Sequence, residues 1–181
     1  MAGVNALAWS IIGMADATDR LSKVGASDRP RAFAVVSEAV WWVTIVDSTL
    51  VRYHPEAYDF VLSSIRGGSR VDETLGGLRF VRNQIARGID NVDFIEPAGG
   101  QPDRVADWTW SPQPEPAGTL LSPQGRAWEI ARYRAYQRRL AGQTVGQTFG
   151  DAAGFLKVAA DRVGTTADSV SDQPQAARRE Q

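Results

Sequence analysis

The chain has 181 residues, 43% hydrophobic and 23% charged, with a formal net charge of -1; this suffices for one globular domain with a core of ordinary size and argues against a protein that coats nucleic acid through its overall charge. Cysteine is absent and histidine occurs once, as His54, which excludes a disulfide framework and a thiolate metal site and leaves no ligand set for a histidine-rich metal centre. No basic leader followed by an apolar run opens the sequence, and the apolar stretch over residues 41–46 is too short to cross a bilayer, so a soluble cytoplasmic protein is expected, with no membrane contact, metal or cofactor.

Residues 4–24 place apolar or small side chains at Val4, Leu7, Ala8, Ile11, Ala15 and Thr18, the spacing of a helix packed on one side. Gly25 ends it, and Ser27 or Asp28 ahead of Pro30 gives the cap-then-proline start of a second helix that runs to about Tyr53. On this helix Val36, Ala39, Val40, Val43, Val46, Leu50 and Val51 share a face, with one acid, Asp47, in its middle. Trp41 and Trp42 cannot both join the valine face, so one of them should meet another element or a partner. Pro55 starts a shorter third helix with Tyr58, Val61, Leu62 and Ile65 on one side; Arg66-Gly67-Gly68-Ser69 stops it, and Asp72 is the expected cap of the fourth.

The fourth helix organises the rest. Wound at 100° per residue, Leu75, Leu78, Val81, Ile85, Ala86 and Ile89 form one apolar arc with Arg82 inside it. A guanidinium does not lose its proton, so a buried one needs a partner or a ligand. The simplest arrangement brings Asp47 and Arg82 together across the interface of the second and fourth helices, as an ion pair that fixes register or as part of a functional pocket. Arg79 and Asn83 fall at the edge of the arc and Arg87 beyond Asn83, so that Arg79, Arg82, Asn83 and Arg87 are expected to line a polar groove. The pair Gly76-Gly77, which costs roughly 1 kcal/mol per glycine in helix propensity, points to close approach of another backbone or to a kink.

After a short exit over residues 90–95, the stretch 96–121 is rich in Pro, Gly and Trp, holds five of the nine prolines, and reads as an irregular crossover without a helix. Within it Trp108 and Trp110 are expected to form an extended piece that tucks one indole onto the helices. Ser122-Pro123 opens a fifth helix to about Gly142, where Arg126, Arg132, Arg134, Arg138 and Arg139 stand against Glu129 alone, with Tyr133 and Tyr136 interleaved. That is the composition of a phosphate-facing surface, or of a solvated basic face balanced by acids elsewhere. Gly142, Gly146, Gly150 and Gly154 follow at steps of four and should divide between a turn and tight packing. Phe149, Ala152, Ala153, Leu156, Ala159 and Val163 give a last amphipathic helix ending at Gly164. The expected fold is all-α, a single bundle of five to six helices over residues 1–164 with a long Pro-rich crossover loop, followed by a disordered tail over 165–181.

The run Leu78-Arg79-Phe80-Val81-Arg82-Asn83, set in this all-helical order, resembles the HEPN superfamily, the nucleotide-binding and ribonuclease helical bundles of prokaryotic toxins and defence systems; the Trp-rich and Arg-Asn segments are also similar to uncharacterised actinobacterial proteins. The resemblance implies that Arg82 and Asn83 match the first two positions of an Arg-Asn…His motif, that Asp47 is the acid holding the arginine, and that a homodimer or protein partner assembles around the motif helix, with RNA or a nucleotide as possible ligand. Where the family's histidine falls this chain has Arg87, which cannot act as a base. The leading expectation is therefore a catalytically impaired HEPN-like bundle that binds a phosphate-bearing ligand or a partner through Asp47, Arg79, Arg82, Asn83 and Arg87 in a toxin or defence context. Two alternatives remain: a structural or interaction module in which Asp47–Arg82 is purely architectural, and an active ribonuclease using Arg82, Asn83 and a non-standard base. A third use of the chain, nucleic-acid binding by the Arg126 to Arg139 stripe, would show as steep salt dependence.

Overall fold

A computed structural model describes residues 2–25, 27–87, 93–98, 108–116 and 122–164; Ile89 of the expected apolar arc, the exit residues 90–92, parts of the crossover at 99–107 and 117–121, and the tail 165–181 with its expected disorder lie outside the described residues. The described chain is an all-α bundle of six helices with one small two-stranded sheet.

The first helix, α1, spans Ala2–Leu21, and α2 spans Arg29–Tyr53. Asp28 caps α2 by accepting a hydrogen bond from the Arg31 backbone N–H at 3.2 Å, with Pro30 in the first turn. The two helices run antiparallel, as the contacts Gly13 to Trp42 and Arg20 to Glu38 show. Trp42 fills the space a side chain at Gly13 would need, since a Cβ there would lie 2.6 Å from the indole. Trp41 points the other way. α2 is long and apolar enough to cross a membrane by length and composition, but Val36, Ala39, Val40, Val43, Val46 and Leu50 are completely buried inside the bundle.

α3 spans Pro55–Ser64 and α4 spans Gly68–Arg87. The expected cap, Asp72, is inside α4, which begins four residues earlier. The cause is the glycine pair between the helices. Gly67 takes a left-handed φ of +93°, and Gly68 sits so tightly under the Leu62 carbonyl that a Cβ would lie 1.9 Å from its oxygen. Glycine at both positions lets the chain reverse at once and start the new helix without a side-chain cap.

β1 (Ile95–Pro97) and β2 (Trp108–Trp110) pair antiparallel, with Ile95 opposite Trp110. Both indoles of the crossover are buried, one more than the sequence suggests. Trp110 is held from three sides: its N–H donates to the Gln143 carbonyl at 3.0 Å, its carbonyl accepts from Gly142 at 2.8 Å, and its indole donates to the Thr148 hydroxyl at 3.0 Å.

α5 spans Pro123–Arg139 and opens with the Ser122 hydroxyl accepting from the Gly125 N–H. It packs closely on α4, because Gly77 admits the α5 backbone: a Cβ at Gly77 would lie 3.1 Å from Tyr136 Cα and 2.7 Å from Leu140 Cδ1. This is the close approach that Gly76-Gly77 signals. α6 spans Val145–Arg162, is capped by Thr144, and packs against α1, α2, α3 and α4 through Phe149, Ala152, Phe155, Leu156 and Ala159. Of the four glycines spaced by four, Gly142 makes the turn with φ +74°, whereas Gly146, Gly150 and Gly154 face open space and serve no packing. Gly164, with φ +76°, follows the end of α6.

Candidate functional site

Asp47 is 1% exposed and sits where α2, α3 and α4 meet. Its carboxylate accepts from Arg79 Nε at 2.7 Å, from Arg79 Nη2 at 2.8 Å and from the Tyr58 hydroxyl at 3.0 Å. The forked contact is the geometry that suits a guanidinium best. Burial acts to lower the Arg79 pKa, but hydrogen bonding and the charge of Asp47 outweigh it and raise it. Burial, reinforced by the Asp47 charge, also pushes the Tyr58 phenol far up, so it stays a donor.

The expected Asp47–Arg82 pair is therefore not the one that forms. Helical wheels give the angle of a residue around its own axis but not its height beside a neighbouring helix. Across the α2–α4 interface Asp47 pairs with Arg79, while Arg82, three residues on, reaches Trp41, six residues before Asp47. The Arg82 guanidinium carbon lies 5.4 Å from the Trp41 ring centroid. Among the described residues Arg82 makes no hydrogen bond and no ion pair, and its Nε is buried without a partner.

A second buried carboxylate lies on α5. Glu129 is 3% exposed and accepts from Arg87 Nη1 at 2.8 Å, Gln84 Nε2 at 3.1 Å, Arg87 Nη2 at 3.3 Å and Asn83 Nδ2 at 3.4 Å. Arg87 is thus committed to Glu129 and does not line the groove that the sequence assigns to it. The signal for Glu129 was present: as the lone acid of a basic helix it shares the inner face with Tyr133, Tyr136 and Leu140.

Between these two hubs lies a cleft of about 340 Å³. α2 contributes Asp47, Ser48 and Val51, α4 contributes Arg79, Arg82 and Asn83, and α5 contributes Arg132. Arg132 also makes no hydrogen bond or ion pair among the described residues. Burial, followed by the positive charge of Arg79, holds its guanidinium below the ordinary range; Glu129 opposes this, while Arg82 and Arg87 add to it. Three guanidinium groups thus converge with one carboxylate, which is already bound. The rest of the α5 stripe is dispersed: Arg138 and Arg139 hold Glu73 on α4, while Arg126 and Arg134 are exposed. His54 lies at the junction of α2 and α3 and is not part of the cleft wall.

This arrangement can bind an anion. Among the described residues its wall holds no histidine, its one carboxylate already accepts three hydrogen bonds, and arginine does not deprotonate. Compared with known proteins, the chain matches no family model, no curated protein and no solved structure at a significant level.

Proposed function

We propose that the protein is a HEPN-like helical bundle that has lost catalytic power and binds a phosphate-bearing ligand, such as a nucleotide or an RNA end, in the cleft between α2, α4 and α5, within a toxin or defence system. The observation that carries this reading is the pair of guanidinium groups, Arg82 and Arg132, that line the cleft without an ion pair among the described residues while Arg79 is fixed by Asp47. Uncompensated buried charge is costly, and a ligand phosphate relieves that cost with bidentate contacts. Asn83 lies beside these arginines with its amide nitrogen toward Glu129.

The test is calorimetric titration of AMP at low ionic strength, together with incubation of single-stranded RNA. Binding that is lost in Arg132→Met, with RNA left intact, supports the reading. Cleavage of RNA that disappears in Arg82→Met would instead make the protein an active nuclease.

A second reading, an interaction module, has its own support. Trp9, Ile12, Trp41 and Ile45 are exposed on α1 and α2, with Trp9 at 63%, and Asp47 with its partners is satisfied without any ligand. This reading expects partner binding to be disrupted by Trp9→Ala and to be indifferent to Arg132→Met.

A further inference from the structure

We infer that the cleft selects a terminal phosphate carrying two negative charges on a small organic molecule, and disfavours a singly charged phosphodiester; this rests on the phosphate-binding reading above. The charge pattern carries it. Arg79, Arg82 and Arg132 oppose Asp47 alone, so two positive charges in the cleft wall stay unbalanced. The neighbouring carboxylate of Glu129 acts on Arg132, but its charge is balanced by Arg87, from which it accepts two hydrogen bonds, so the excess of two is unchanged. A diester supplies one charge and leaves one guanidinium unpaired among other cations. A phosphomonoester dianion satisfies both Arg82 and Arg132.

The two guanidiniums come from different helices, α4 and α5, and so approach one phosphate from two sides. The volume is at the lower end of small-molecule sites, larger than a bare phosphate needs. Val51, 45% exposed, is the apolar side chain of the cleft wall and supplies a surface for the organic part.

The charged and titratable groups around the cleft are Asp47 on α2, Tyr58 on α3, Asp72, Arg79, Arg82 and Arg87 on α4, and Glu129 and Arg132 on α5; Asp72 acts on Arg79 and Tyr58 by its charge. Their own titration is separated from that of the ligand by using two probes of nearly the same shape. Phenyl phosphate passes from one charge to two near pH 6, whereas phenyl sulfate keeps one charge throughout.

The experiment is calorimetric titration of phenyl phosphate, phenyl sulfate and inorganic phosphate into the full-length protein at pH 8 and pH 5. Phenyl phosphate is expected to bind about ten-fold or more tightly than phenyl sulfate at pH 8, from one additional charge beside two guanidiniums. That margin should shrink to near unity at pH 5, and also in Arg132→Met at pH 8. Inorganic phosphate should bind more weakly than phenyl phosphate, and the margin between them should narrow in Val51→Ser. Equal binding of phenyl phosphate and phenyl sulfate at pH 8 overturns the dianion selection while leaving an anion site in place. Inorganic phosphate binding as tightly as phenyl phosphate overturns the organic part. Failure of all three probes to bind overturns the phosphate-binding reading itself.

Discussion

Asp47 and Arg79 meet through two nearly parallel hydrogen bonds of 2.7 and 2.8 Å, one turn of α4 before the arginine that the apolar arc singles out. The consequence is a division of labour along a single helix. Arg79 is paired with Asp47, while Arg82 has an aromatic face and, among the described residues, no ion pair.

Asp47→Ala should destabilise the fold by about 3–5 kcal/mol, because it strands the Arg79 charge and removes the acceptor of Tyr58. Adding Arg79→Met to that variant should recover part of the loss. Urea denaturation of the two single variants and the double variant measures this coupling. Simple additivity would mean that the pair contributes no interaction energy.

Gly77→Ala should destabilise the protein by about 1–3 kcal/mol despite its better helix propensity, because the added methyl group meets Leu140 and the Tyr136 backbone. It should also weaken anion binding, since forcing α4 and α5 apart separates Arg82 from Arg132. Gly150→Ala, which meets nothing within 4 Å on α6, should instead gain up to about 1 kcal/mol. Thermal unfolding of the two variants side by side distinguishes these signs.

Glu73 gives the acid dependence of stability a defined source. Hydrogen bonds from Arg139 and Arg138 hold its carboxyl below the ordinary value of 4.5, against a smaller effect of burial. A group whose folded pKa is depressed stabilises fully above its unfolded value and loses that contribution as pH falls through the folded one. Stability should therefore decline below about pH 4.5, and Glu73→Gln should flatten part of that decline while lowering stability at pH 7. A pH series of denaturation midpoints checks both; an unchanged slope below pH 4.5 would remove Glu73 from the explanation.

Helix number and most helix boundaries are readable in the sequence because they depend on apolar periodicity, caps such as Ser122-Pro123, and the breaks at Gly25 and Pro55. The burial of Asp47 is readable for the same reason: its neighbours on the wheel are valines. Its partner is not, because choosing between Arg79 and Arg82 requires the axial offset of two helices that are distant in the chain. The inward position of Glu129 is masked in the sequence by the arginines around it. The extended piece at Trp108 and Trp110 is readable, but its pairing with Ile95–Pro97 is not, because three-residue strands carry no measurable period and Trp110 is held there by contacts to Gln143, Gly142 and Thr148, more than thirty residues away.

The most direct measurement is the melting temperature of wild-type protein and Arg82→Met, each with and without AMP at low ionic strength. Without ligand, Arg82→Met should melt at the same temperature as wild type or higher, since it removes a partly buried cation that has no ion pair among the described residues and costs the contact with Trp41. With AMP, wild type should rise and the variant should not. An Arg82→Met protein that unfolds earlier on its own and still gains as much from AMP would show that Arg82 is a structural residue and that the cleft is not the anion site.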